Sequence, residues 1–174
     1  MKKVLLVALM GALAVSCGNT ETKKKEESSV THNHEHVAPE TPSNSTAKHV
    51  ENGTIVLEGT DQMTFNLSEI KAKAGEKVTL TLKHVGKMPV TVMGHNFVLL
   101  KQGTDVAAFA AEALKAKDSD YVPAGSDAVI AHTKVIGGGE ETTITFDAPE
   151  AGTYDFICSF PAHAAMMKGK FIVE

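Results

Sequence analysis

Gly152-Thr153-Tyr154-Asp155-Phe156-Ile157-Cys158-Ser159-Phe160-Pro161-Ala162-His163-Ala164-Ala165-Met166-Met167 changes character halfway along. Up to the cysteine, Tyr154, Phe156 and Cys158 fall in phase at period two, which puts them on one face of an extended strand. Beyond it the chain turns to Pro161, small residues and soft donors, and from Lys168 to Val173 it returns to β-forming composition. The segment therefore reads as strand, loop and strand, with a thiol where the first strand ends.

The same grammar extends back to about Thr54. Short runs of β-branched and aromatic residues recur between Gly, Pro, Asp and Asn, predicting strands near 54–59, 63–67, 69–74, 77–85, 90–93, 96–101, 129–136, 141–147, 152–158 and 168–173. Val78, Leu80, Leu82 and His84 share one face, so His84 points the same way as core aliphatics. One stretch, 104–117, carries a helical stripe of Val106, Phe109, Ala110, Ala113 and Leu114, with Thr104 or Asp105 available as cap. The expected architecture is an all-β sandwich with one short external helix near 104–117.

The loop after Cys158 carries the chemistry. It supplies a thiol, an imidazole five residues on at His163, and a thioether four further on at Met167. A second imidazole stands far upstream in Val92-Met93-Gly94-His95-Asn96, where Gly94 lacks a side chain and lets its carbonyl approach an ion closely. Two histidines, one cysteine and a distant methionine form the donor set of blue-copper electron-transfer sites. Zinc is also bound by cysteine and two histidines, although a methionine fourth ligand disfavours it. The plain structural alternative makes Cys158 a small buried hydrophobe, His163 a loop residue and Met167 core filler.

The chain has 174 residues, a formal charge of −4, and lysine as its only basic residue type apart from histidine. One ordinary domain with an extension fits that length, and the lack of arginine argues against a nucleic-acid partner. Lys2 and Lys3 followed by an apolar run over 4–15 read as a secretion signal, 1–16, too short to span a bilayer as a helix. Ala14-Val15-Ser16-Cys17 resembles the lipobox of bacterial lipoproteins, which makes Cys17 the expected lipid attachment point. The other reading discards Cys17 with the signal, and both readings export the chain. Residues 17–50 have few aliphatic residues and read as a disordered, lipid-anchored linker. Within it, His32-Asn33-His34-Glu35-His36 is either solvated linker or a tract that collects a metal ion.

Beyond the donors, several segments resemble azurins, small bacterial cupredoxins, in the same order: Asp61-Gln62-Met63-Thr64-Phe65-Asn66, Val92 to Asn96, Asp120-Tyr121, Val129-Ile130-Ala131-His132-Thr133-Lys134 and Cys158 through Gly169. The resemblance covers nearly all of 54–174 and none of the tether, so 51–174 is expected to be an azurin-like Greek-key β-sandwich. It implies one type 1 copper cycling between Cu(I) and Cu(II), with His95, Cys158 and His163 as equatorial ligands. Met167 and the Gly94 carbonyl would be axial, and Asn96 would tie the two ligand loops together. It further implies electron exchange through the His163 edge, within an apolar docking surface formed by Met63, Met88, Met93, Phe160, Pro161, Ala162 and Met166. His84 looks like a family histidine near the copper, or equally a satisfied core histidine; His132 resembles a surface one.

Some residues depart from the azurin pattern. The domain lacks the second cysteine pair and any tryptophan, and Phe97 follows Asn96 where azurins often carry one. Ala162 replaces a glycine before the ligand histidine, which would crowd the loop.

The expected function is one-electron transfer in the bacterial cell envelope or periplasm. Partners would be redox proteins such as a cytochrome c or a reductase, with the membrane reached through lipid. No small-molecule substrate is expected. An enzyme would need a further copper centre, and the domain offers only His84, His95, His132 and His163. The alternative is a copper-handling lipoprotein that binds or delivers the metal.

Overall fold

The computed structural model describes residues 46–174. The expected signal 1–16, Cys17 and the tract His32 to His36 lie outside the described residues.

Nine strands form two sheets. β1 (Ala47–His49), β3 (Glu69–Ala72), β9 (Lys168–Val173), β8 (Gly152–Ile157), β5 (Val98–Leu100) and β6 (Val129–His132) make up the larger sheet in that spatial order. β2 (Thr54–Gly59), β4 (Lys77–His84) and β7 (Glu141–Asp147) make up the smaller one. β8 and β9 pair antiparallel with Tyr154 opposite Phe171, the strand–loop–strand unit read from the sequence. β1 lies within the stretch expected as linker, 17–50; it pairs parallel with β3, Ala47 opposite Glu69, so the folded chain begins before 51.

Alternation builds the core between the sheets. On β4, Val78, Leu80 and Leu82 are fully buried and His84 nearly so, in line with the period-two reading. The three aliphatic side chains meet Ile55 and Leu57 of β2, Ile70 of β3, Phe156 of β8 and Phe171 of β9. Phe97 occupies the same core with its ring 5.6 Å from Phe156 and 6.4 Å from Phe146. Aromatic packing thus fills the core without tryptophan, each buried large side chain contributing about 1.5–3 kcal/mol.

The larger sheet is covered on its other face too. Helix α2 (Val106–Ala113) lies there, capped by Asp105 Oδ1, which accepts from the Ala107 and Ala108 amides at 2.9 and 3.0 Å. Phe109 and Ala113 pack with Val98, Leu100 and Ile157, so β5 is buried on both faces. The helix is shorter than the expected 104–117: directly after Ala113 the bonds tighten, with the Lys115 amide donating to the Glu112 carbonyl and the Ala116 amide to the Ala113 carbonyl, and a 3-10 turn follows at Lys117–Ser119.

Three expected strands are corrected. Val90–Met93 is a single helical turn, α1, whose Val92 and Met93 amides both donate to the Pro89 carbonyl. Its alternating valines have no partner strand and stay exposed, Val92 at 53%. Residues 63–67 are no strand: they leave a turn closed by the Met63 amide on the Thr60 carbonyl, with Met63 at φ 56°, and carry only a lone bridge from Phe65 to Gly59. The strand expected over 129–136 ends at His132, after which the Thr133 side chain accepts the Phe97 amide.

Candidate metal centre

Four strand ends meet at one end of the sandwich. β8 runs out into Cys158, β9 starts just after Met167, β5 starts just after His95, and β4 ends on His84. The thiol and the two imidazoles, though sixty-eight residues apart at the extremes, converge here because the topology makes β5 the hydrogen-bonded neighbour of β8.

Cys158 Sγ lies 4.0 Å from His95 Nδ1 and 3.6 Å from His163 Nδ1. All three donor atoms lie within 4.8 Å of one another and all three residues are buried. Donors each about 2.0–2.3 Å from a shared ion stand a few ångströms apart in this way. The sulfur also lies 3.9 Å from the Gly94 carbonyl oxygen. Met167 is fully buried and packs with Cys158 and Phe160, on the same side of the site as Gly59.

The surroundings hold the rings in one protonation form. His95 Nε2 donates to the Thr60 carbonyl at 2.9 Å, which leaves the Nδ1 lone pair aimed at the sulfur. Burial pushes the His95 pKa down, with the Thr60 carbonyl acting in the opposite sense. His163 is lowered to about 4, chiefly by burial, with His95 and His84 adding. Burial pushes the Cys158 thiol up to about 12. Neutral imidazoles and a thiol that gives up its proton only to a strong competitor form a set that a soft or borderline cation satisfies.

Asn96 joins the two loops. Its Oδ1 accepts the Ser159 amide at 2.8 Å, and its Nδ2 donates to Ser159 Oγ at 2.9 Å and to the Asp120 carbonyl at 2.8 Å. Ser159 Oγ in turn donates to the Tyr121 carbonyl at 2.7 Å. His84 is satisfied at both nitrogens: Nε2 donates to the Met93 carbonyl and Nδ1 accepts the Gly86 amide, while its ring stacks on His95 at 4.2 Å. Both readings of His84 meet here, a satisfied buried histidine that lies against a residue of the donor cluster.

Gly94 is needed for space. At φ −70° its backbone suits any residue, but a Cβ would meet Phe160 at 2.6 Å and Val135 at 2.7 Å. Of the residues expected on the docking surface, Met166 is 61% and Met88 37% exposed, Ala162 is exposed, and Met63, Met93 and Pro161 are half-buried. Phe160 is a correction. Only 8% exposed, its ring is held between Tyr121 at 5.2 Å and His163 at 4.8 Å, under the surface rather than on it.

Sequence reasoning missed Gly59 and Thr60. A Cβ on Gly59 would stand 2.7 Å from His95 Cδ2, so the ring position depends on its absence. It missed Asp61 as well, whose carboxylate accepts the Lys87 and Met88 amides at 2.8 and 3.2 Å and pins the loop before α1. None of these belongs to the donor cluster of His95, Cys158 and His163, and their roles come from contacts across strands and loops.

Comparison with known proteins agrees with this geometry. The family model for copper binding proteins of the plastocyanin/azurin family matches residues 52–174. Azurin of Pseudomonas chlororaphis is 46% identical over 123 residues, covering 68% of this chain and 95% of that protein. Outer membrane protein H.8 of Neisseria gonorrhoeae is 43% identical over 122 residues, covering 68% of this chain and 66% of that protein. Among solved structures, auracyanin A, a blue copper protein of Chloroflexus aurantiacus, superposes with a TM-score of 0.65 at 33% identity, covering 70% of this chain and 98% of that one. With the match running from the second strand to the last residue and through every donor, the chain belongs to the plastocyanin/azurin family of copper-binding proteins.

Proposed function

We propose that His95 Nδ1, Cys158 Sγ and His163 Nδ1 would hold one copper ion, with Met167 and the Gly94 carbonyl as further, weaker contacts. The chain is a one-electron carrier and not an enzyme. Bound copper supplies the Cu(I)/Cu(II) couple. The protein supplies a buried set of donors whose positions are fixed beforehand: the Thr60 carbonyl sets the His95 tautomer, Asn96 fixes one ligand loop against the other, and the apolar wall excludes water. Donors that need not move as the charge changes keep electron exchange fast.

Electrons pass to redox partner proteins. The exchange point is His163, next in sequence to the exposed Ala162 and three residues before the exposed Met166, whose thioether suits transient partners. A cytochrome c or a reductase of the envelope is the partner class. Cys17 carries the lipid that tethers the domain to a membrane in the periplasm or cell envelope. The lipobox-like Ala14 to Cys17 supports this, as does similarity to a relative named as an outer membrane protein.

Convergence of three buried donors within 4.8 Å is the observation that carries the reading. Copper-loaded protein is expected to be intensely blue through sulfur-to-copper charge transfer, and Cys158→Ser colourless. A visible spectrum decides it, and colour retained in the variant would remove Cys158 from the site.

A further inference from the structure

Helix α2 is apolar on both faces. Phe109 and Ala113 turn inward, while Ala107, Ala111 and Leu114 follow one another at helical spacing on the opposite side and are exposed, Leu114 at 54%. Glu112 is the only charged residue of Val106–Ala113. A surface helix normally turns charged and polar side chains outward, so this outer face is that of an element with a second neighbour.

Between that face and the ligand loop lies a groove of about 440 Å³. The loop lines it with Ala162, Ala164 and Ala165, and with Phe160, whose ring stands 4.8 Å from the His163 ring. Alanine on both walls leaves room for a large side chain from elsewhere. The polar lining reduces to one group. Ser159 Oγ is satisfied by Asn96 and the Tyr121 carbonyl, whereas Lys168 is exposed and makes no ion pair among the described residues. Asp155 lies near Lys168 but is held by Lys170 at 2.6 Å, and no carboxylate lines the groove.

We propose that this groove is a second part of the docking surface for the redox partner, taking a protruding apolar side chain of that protein beside a carboxylate that pairs with Lys168. The inference rests on the electron-carrier reading and specifies the partner's face. Continuity argues for this occupant: Phe160 and Ala162 belong both to the groove and to the loop that carries His163, so whatever fills the groove already sits at the exchange point. Charge argues for it too. A second copy docked about a two-fold axis would bring the same lysine and no carboxylate to meet it. Redox encounters bury less than about 1,200 Å², so one filled groove sets the register and one rim charge guides approach.

The test uses the copper-loaded full chain and, as probe, a small c-type cytochrome whose haem edge is rimmed by carboxylates. With copper cuprous and the haem ferrous no electron moves, and nuclear magnetic resonance of labelled alanine, leucine and methionine methyls maps the contact. Ala107, Ala111, Leu114 and Ala165 should shift together and saturate. With copper cupric, the haem iron loses the one electron that copper gains, and stopped flow reads the rate. Ala111→Leu, which fills the groove without adding charge, should slow it at least about tenfold, as loss of a central contact does. Lys168→Gln should slow it about threefold and Lys168→Arg restore it, as expected of a rim charge. Oxidation of hexacyanoferrate(II), too small to need the groove, should be unchanged by Ala111→Leu. Shifts confined to the Met63 and Met88 methyls overturn the proposal, as does a cytochrome rate unaltered by either Ala111→Leu or Lys168→Gln. Groove shifts that grow with the chain's own concentration, without cytochrome, also overturn it by giving the groove to a second copy. A parent chain that fails to oxidise hexacyanoferrate(II) would instead defeat the electron-carrier reading, which that probe reports separately.

Discussion

At the scale of single residues, the site depends as much on what is missing as on its donors. Gly59 lets the His95 ring lie against the end of β2, since a Cβ there would stand 2.7 Å from His95 Cδ2 and 3.4 Å from the Met167 methyl. Gly59→Ala is therefore expected to weaken copper binding by about 10- to 100-fold and to shift the blue absorption, as loss of a supporting contact does in metal sites. Competition with a chelator of known affinity measures it. Ala162 presents the opposite case. It holds φ 68°, a left-handed conformation in which a Cβ is strained, directly before His163. Ala162→Gly should stabilise the protein by about 0.5–1 kcal/mol, with the blue spectrum retained, as read from chemical denaturation of the metal-free form. The crowding expected from the sequence is thus backbone strain in the ligand loop. Cys158 and His163, which the structure brings together with His95, were legible because donors close together in sequence announce themselves. Gly59 and Thr60 were not, because a missing side chain and a backbone carbonyl leave no chemical trace in a sequence.

At the scale of elements, strands that bury a face were readable and those that do not were misread. β4, β7 and β9 follow their alternation because each packs one face on the core. Val90 to Met93 alternates equally well, yet no strand lies beside it, and Pro89 starts a helical turn instead. Periodicity reports a side-chain pattern, and whether a partner backbone exists is settled by topology. The same logic makes Asn96 the joint between two loops that the sequence places far apart. Removing it in Asn96→Ala leaves the buried Ser159 amide and the Asp120 carbonyl without their side-chain partner. A cost of about 2–4 kcal/mol is expected from the lost bonds and stranded groups. Thermal unfolding of the metal-free protein measures it. The loaded protein should show an altered reduction potential as well, because the two donor loops are no longer held in register.

At the scale of the whole molecule, the buried donors make stability depend on pH from both sides when no metal is bound. His163 binds its proton only near pH 4 in the folded state, because burial and the neighbouring His95 and His84 oppose the charge, whereas the unfolded chain binds it near 6.5. His95 is lowered in the same direction. As pH falls below about 6.5 the unfolded state takes up protons that the folded state refuses, so stability is lost down to about pH 4 and then levels for this group. At about 1.4 kcal/mol per unit, His163 alone accounts for on the order of 3 kcal/mol. Cys158 acts at the other limb. Its folded value is raised from 9.0 to about 12, so the unfolded chain ionises first and stability falls as pH rises from about 9 towards 12. The metal-free protein should therefore be most stable between about pH 6.5 and 9, the window bounded by the two unfolded values. Copper binding within that window displaces the thiol proton while both imidazoles are already neutral, so close to one proton should be released per copper at pH 7. Titration in weakly buffered solution with a pH indicator checks the release, and denaturation across pH 4–11 with and without copper checks the dome. With the sulfur held deprotonated by the metal, the alkaline limb belongs to the metal-free form alone. An alkaline limb of equal size in the loaded protein would mean that Cys158 is not bound.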